Sequence, residues 1–276
     1  MKKLIIIMVL AAILGGAKAY LDHQLHLKLD KTIATNKIKA EYSKISSSLL
    51  GQVIIEDLRL NNFVQIDKVI LSKAYQFYDK LPESMDLNLE GVQISLDNTN
   101  KSVPMLIYVL GYAPYYTNLK ELSALGYSNL RADVSLNAKL QNKKLLLSGT
   151  VEANKWGNFD ILAELNNVSK SSIKRTKLVS SQLKYFNKGL VNKVTDYLAN
   201  RNKITSVQLQ QNFITKLEND IKQTDITNNI QQFIKNPQVL TAYLKPKIPI
   251  SVNNLIMLPL LKFELKITAE QSIRSQ

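Results

Sequence analysis

The 276-residue chain contains no cysteine. That absence removes disulfides, thiolate metal sites and cysteine nucleophiles together, so the fold must rest on packing and hydrogen bonding. Histidine is almost as scarce, with only His23 and His26 present. Their spacing of three places both rings on one face of a helix, but a metal site would need further ligands, and only Asp22 and Asp30 lie near in sequence. No Gly-x-Ser-x-Gly elbow and no Gly-x-x-x-x-Gly-Lys loop occurs, which excludes the commonest nucleophile and phosphate-binding signatures. Glycine and proline are few and are nowhere gathered into a linker. The sequence thus predicts no catalytic residue, no metal and no cofactor, and a chain that is not an enzyme.

Acidic side chains are the other deficit. Asp and Glu number 22 against 36 Lys and Arg, a formal charge of +14. Such an excess attracts the chain to anionic surfaces, although a composition rich in Lys, Asn and Ile produces it without any functional cause. The basic residues are spread along the chain, with no arginine block or interleaved aromatic stripe of the kind that follows a nucleic-acid backbone. Nucleic acid is therefore not an expected partner. For an exported chain the fitting partner is a membrane, with anionic phospholipid head groups as the counter-charge.

Export is what the first residues point to. Lys2 and Lys3 precede an unbroken apolar run in which Leu4, Ile5, Ile6, Ile7, Val9, Leu10, Ile13 and Leu14 form the membrane-inserting core. The run from Leu4 to Ala17 matches a signal-peptide core better than the about 20 residues needed to span hydrocarbon. Ala17-Lys18-Ala19 has the small-x-small form that signal peptidase accepts. Against cleavage, Ala19, Tyr20 and Leu21 extend the run if Lys18 snorkels to the interface, and Leu21, Leu25, Leu29 and Ile33 recur at fourfold spacing, as in a helix leaving the membrane. Both alternatives stand on pattern: a single-pass inner-membrane anchor with the bulk of the chain in the periplasm, or a cleaved, soluble periplasmic protein. Residues 1–21 are the signal anchor or signal peptide, 22–36 a membrane-proximal helix, and 37–276 a single envelope domain, strand-rich over 37–169 and mixed helical over 170–276.

Apolar residues make up 45% and charged ones 21% of the chain, the balance of a folded domain. From Ile38 the period changes to two, with Ile38, Ala40 and Tyr42 alternating against Lys39 and Glu41 as a half-buried strand does. Gln52–Leu60 reads as a second strand, Val64, Ile66 and Ile70 as a third. Met85, Leu87 and Leu89, then Val92, Ile94 and Leu96, read as two short strands separated by Gly91. Glu56-Asp57 is charge expected to blunt a strand edge. A helical interlude with Pro104 near its start and Gly126 as left-handed cap follows, carrying Tyr108, Tyr112, Tyr115 and Tyr116 as candidate interfacial aromatics.

The clearest signal comes next. Leu130, Ala132, Val134, Leu136, Ala138 and Leu140 alternate without a slip against polar residues. Asn142-Lys143 turns this strand into Leu145, Leu147, Gly149, Val151 and Ala153, and Asn154–Asn158 turns that into Phe159, Ile161, Ala163 and Leu165, a three-strand meander. Val179, Leu183 and Tyr185 suggest a further strand. Helices follow from Leu190, from Thr205 with Gln208 as a capping box, and over Ile226–Ile234 up to Asn236-Pro237. Leu240–Leu244, with Pro246 and Pro249 behind it, reads as an edge segment, and Leu260–Ile267 as a closing strand. The expected fold class is α+β: a curved antiparallel β-sheet meander packed with a C-terminal helical group and preceded by the N-terminal membrane anchor or signal segment.

The anchor, the short helix and the string Gly-polar-apolar-apolar-apolar-polar-Asp-Leu-Arg-Leu, carried by Gly51–Leu60, together resemble the N-terminal pattern of AsmA-like bacterial envelope proteins and the related YdgA-like group. Leu183–Leu190, strand into helix, is similar to a segment of the YdgA-like group, with Asn187 where that pattern would have Asp. The resemblance implies an uncleaved anchor and a curved sheet with an apolar concave face, in a superfamily linked to lipid movement or outer-membrane homeostasis. The chain is much shorter than most AsmA-like members, so a complete bridge between membranes is not implied.

A sheet with one apolar face must bury that face against helices, another sheet or a ligand. The candidate lipid-binding residues are Leu130, Val134, Leu136, Leu147, Val151 and Ile161, holding or shielding acyl chains. The alternative partner is a protein: an envelope complex in which the chain is a structural or assembly accessory subunit of a secretion machine.

Overall fold

The computed structural model describes residues 22–27, 30–31, 39–48, 51–60, 64–72, 83–96, 123, 125–169, 175–220, 224–251 and 263–270. Among these residues twelve strands form one antiparallel open sheet. In chain order they are β1 (Ala40–Glu41), β2 (Lys44–Ser47), β3 (Val53–Leu60), β4 (Val64–Ser72), β5 (Ser84–Ser95), β6 (Asn129–Gln141), β7 (Lys144–Ala153), β8 (Gly157–Asn166), β9 (Lys177–Asn187), β10 (Val239–Pro246), β11 (Ile250–Ser251) and β12 (Phe263–Glu270). Each strand from β3 to β10 pairs with the next, so the sheet is a meander. β1 and β2 share β3 as partner, β11 lies beside the start of β9, and β12 forms the far edge beside β10. The end of the sheet that carries Leu60, Asn129, Ala153 and Asn187 is its upper end, and the end that carries Val53, Gln141, Asn166 and Pro246 its lower end.

The meander expected over β6, β7 and β8 is present. Asn142 and Lys143 both adopt positive φ, 51° and 64°, the two-residue turn whose twist matches a right-handed hairpin. In other places the structure differs from the sequence pattern. The runs either side of Gly91 are one continuous strand, β5, and the register against β6 shifts between Leu89 and Val92. Gly91 sits there at φ 63°, and a Cβ in its place would lie 2.1 Å from Asp67 Oδ2. Asp67 instead receives Arg131 at 2.6 Å, and Asp133 Oδ1 accepts the Gly91 N–H at 2.6 Å. A bulge flips the side-chain parity of the strand, which is why its apolar residues change from odd to even numbers while staying on one face.

The second difference is β10, which is interior rather than an edge, with β9 on one side and β12 on the other. Its proline ends the strand at Pro246, so every residue from Val239 to Lys245 retains an N–H for the ladder. Nor does Glu56 mark an edge. Lys44, Glu56, Lys68 and Glu90 stand opposite one another in one row across β2, β3, β4 and β5, with ion pairs Lys44–Glu56 at 3.5 Å and Lys68–Glu90 at 3.9 Å. The strand expected from Ile38 is two short pieces, β1 and β2, and Ile38 itself lies outside the described residues.

Between β9 and β10 the chain makes three helices: α1 (Leu190–Arg201), α2 (Ser206–Asp220) and α3 (Thr224–Lys235). Asn187 starts α1. Its Oδ1 accepts the N–H of Val191 at 3.1 Å and of Gly189 at 3.2 Å, while its Nδ2 donates to Pro237 O at 2.8 Å and Asn192 Oδ1 at 3.1 Å. The capping box expected at α2 forms, with Thr205 N–H to Gln208 Oε1 at 2.9 Å and Gln208 N–H to Thr205 Oγ1 at 3.1 Å.

Two buried clusters hold the helices to the upper end. Leu190, Val194, Leu198 and Leu209 meet Leu96 and Tyr127, with Leu130 and Trp156 at their margin. Leu217, Ile226, Ile230 and Phe233 meet Leu240 and Ile267 of β10 and β12. Leu198, Leu209 and Leu217 are fully buried, and each such side chain contributes about 1.5–3 kcal/mol. At the opposite edge residues 22–27 are helical. Asp22 there accepts from both the N–H and the Oγ of Ser47 in β2, and Asp30 accepts from Tyr42 Oη at 2.8 Å. The membrane-anchor residues Leu4 to Leu14 and the four interlude tyrosines lie outside the described residues.

Candidate functional site

Register places apolar residues from nine strands in one continuous row: Val53, Leu71, Leu87, Leu136, Gly149, Ile161, Leu183, Ala242 and Ile267. The adjacent row toward the upper end is Ile55, Val69, Leu89, Val134, Val151, Phe159, Tyr185, Leu240 and Ala269. Toward the lower end Met85, Ala138, Leu147 and Ala163 continue the surface. Side chains that share a register row project to the same face, so this is an apolar surface that crosses the sheet.

The six residues singled out by pattern divide. Leu136 and Ile161 flank Gly149 in the first row and are each 38% exposed. A Cβ on Gly149 would meet Leu136 Cδ2 at 2.6 Å, so the glycine is the seat on which Leu136 lies. Val134, Leu147 and Val151 adjoin this pair and are half-buried. Leu130 stands apart from them, packed against the helix-covered cluster with Leu96 and Tyr127. Among the described residues, neither helix-bearing cluster includes Leu87, Leu136, Leu147, Ile161 or Leu183. Among the described residues the helices cover the upper corner of the apolar face, while Leu136 and Ile161 in its middle remain partly exposed.

Sequence pattern missed the contribution of β3, β4 and β5. Leu71, Leu87 and Leu89 belong to the same surface, and the signal that would have found them is Gly91, taken as a separator where it is a bulge.

An aromatic chain marks the border of the covered region. Trp156 and Phe159 ring centroids are 5.8 Å apart, Phe159 and Tyr185 4.8 Å, and Tyr185 meets Phe233 of α3 edge-on at 6.2 Å. Tyr185 Oη donates within 2.8 Å of Trp156 O, and burial pushes its pKa up, which keeps the phenol neutral. Burial likewise raises that of Tyr127, whose hydroxyl donates to Lys155 O at 3.0 Å. Gly157 lies under the Tyr185 ring, where a Cβ would be 2.3 Å from Cε2.

The opposite face is polar. Lys144–Glu164 at 3.8 Å and Lys184–Glu270 at 3.2 Å bridge strands across it. Leu146 and Leu162 break that pattern, 54% and 49% exposed on neighbouring strands.

His26 hydrogen-bonds through Nδ1 to Tyr42 Oη at 2.9 Å. Desolvation first, and then Asp30, raises the Tyr42 pKa to about 12. No group of three or more His, Asp or Glu able to hold a metal occurs among the described residues. None of the described helices is long and apolar enough to cross a membrane.

A family model described as "Uncharacterized protein" matches residues 134–270, just under half of the chain. The matched stretch runs from the middle of β6 to the end of β12 and thus takes in four of the six candidate apolar positions outright, with Val134 at its boundary. No curated protein matches the chain.

Proposed function

We propose that the chain is a non-enzymatic bacterial envelope protein, tethered to the inner membrane by residues 1–21 with its bulk in the periplasm, whose apolar sheet face holds or shields lipid acyl chains. The observation that carries this reading is the uncovered middle of the apolar face, centred on Leu136, Gly149 and Ile161. Exposed apolar surface of such continuity is costly in water unless a ligand or partner occupies it. Rows of branched aliphatic side chains offer methyl-lined, non-directional contact, which suits a flexible hydrocarbon chain and has nothing to orient a polar substrate. The AsmA-like and YdgA-like resemblance of Gly51–Leu60 and Leu183–Leu190 points the same way, toward lipid transport or outer-membrane homeostasis.

The test is charge on the face. Leu136→Asp is expected to abolish phospholipid co-purification, measured by native mass spectrometry, while the circular dichroism spectrum is retained, because Leu136 already keeps contact with water. Loss of folding in that variant would make the face ordinary core and contradict the reading.

A second reading, an accessory subunit of an envelope secretion machine, is favoured by Leu146 and Leu162 on the otherwise polar face. A photo-crosslinker at Leu162 that captured one defined protein, with no lipid at Leu136, would establish it instead.

A further inference from the structure

The lower end of the sheet gathers basic side chains from three separate turns. Lys143 lies in the β6–β7 turn, Arg175 and Lys177 at the entry to β9, and Lys247 in the β10–β11 turn, all exposed. The last of these turns also carries Ile248, 75% exposed, between Lys247 and Pro249. An isoleucine held out at a turn tip beside a lysine is an arrangement that water does not favour and a membrane interface does. Among the described residues the acidic groups at this end are Asp22, held by Ser47, Glu83, Asp86, which accepts from Asn137, and Glu164, paired with Lys144, with Glu264 opposite Lys245 in the β10–β12 register.

A second observation concerns where the described chain begins. Asp22 is bound to Ser47, and Ser47 stands opposite Val53 at the lower end of β3. The described chain therefore begins, at Asp22, at the same end of the strands as the basic turns.

We infer that this lower rim is a docking surface for the anionic bilayer in which the chain is tethered: Lys143, Arg175, Lys177 and Lys247 contact phospholipid head groups and Ile248 inserts among them. The inference rests on the membrane-tethered reading above and gives it an orientation. The strands then stand away from the membrane, the exposed middle of the apolar face opens toward it, and α1–α3 cap the distal corner. An acyl chain leaving the bilayer meets Leu147 and then Leu136 without crossing the polar face.

The absence of cysteine makes the test direct. The full chain carries a single environment-sensitive fluorophore, at Ile248→Cys or at Val207→Cys, and is placed in nanodiscs containing phosphatidylglycerol and doxyl-labelled lipid. Val207, 74% exposed near the start of α2, is the distal control. The expected result is strong quenching at 248 and none at 207. Lys143→Gln, Lys177→Gln and Lys247→Gln together should weaken docking about fivefold per charge removed, with the thermal transition unchanged, and phosphatidylcholine discs should abolish the quenching. Equal emission at 248 and 207 in anionic discs, or quenching indifferent to head-group charge, overturns the inference. A photo-crosslinker at Leu136 in the same discs separates the two claims: capture of acyl chains there without quenching at 248 leaves the lipid-holding face standing and removes only the rim.

Discussion

Single residues set the shape of the candidate face and the join to its helices. Asn187 donates and accepts at once, so one amide ties β9, the start of α1 and the carbonyl of Pro237 together. A carboxylate could accept the same N–H groups but could not donate. Asn187→Asp, the residue that the YdgA-like pattern would place there, is therefore expected to destabilise the chain by about 1–3 kcal/mol through the orphaned Pro237 carbonyl, read as a lowered urea midpoint. An unchanged midpoint would show that the Pro237 contact contributes nothing. Leu136 and Ile161 were legible as face residues because strict alternation brackets them. That Leu130 belongs to the helix-covered core was not, since alternation reports which face a side chain is on and is silent about what packs over it.

At the scale of elements, helical coverage decides which part of the apolar face is core. Phe233 of α3 is buried against Tyr185 and Leu240, and Phe233→Ala should cost about 3–5 kcal/mol, visible as a shift in urea unfolding. Val207→Ala, on an exposed turn of α2, should stay within about 0.5 kcal/mol.

The helical residues 22–27 and 30–31 are held more lightly, by Asp22 on Ser47 and by the His26, Asp30 and Tyr42 bonds. The Tyr42 pKa is raised in the folded state, so its contribution is complete below pH 10 and is lost as the pH rises toward about 12, where the hydroxyl no longer donates to Asp30. The protection of the 22–27 amides relative to their base-catalysed intrinsic exchange should fall over that range in the native chain. In Tyr42→Phe that protection should already be low at neutral pH and show no such step.

Elements with uninterrupted period, β6 to β8 and α1 to α3, were readable from sequence. β5 was split in two because a bulge inverts parity at Gly91, and β10 was mistaken for an edge because Pro246 sits one residue beyond the part of the strand that needs its N–H groups.

For the whole molecule, the consequence of a twelve-stranded sheet is a face that the three helices α1–α3 cover, among the described residues, only in part. Its upper corner is closed by α1–α3, its first edge is lined by the helix over 22–27, and the middle carries Leu136 and Ile161 partly in water. The polar face is balanced by cross-strand ion pairs at exposed positions, which add little stability and chiefly keep that side wet. An amphipathic sheet of this kind is built to present two different surfaces, and the lipid-holding account concerns only one of them. The most direct test uses adjacent positions that the strand sends to opposite faces: a photo-crosslinking side chain at Leu136 or Ile161, compared with one at Ser135 or Thr150, irradiated in intact cells. The account predicts phospholipid acyl chains captured at 136 and 161 and none at 135 and 150. Equal capture on both faces, or none on either, would contradict it.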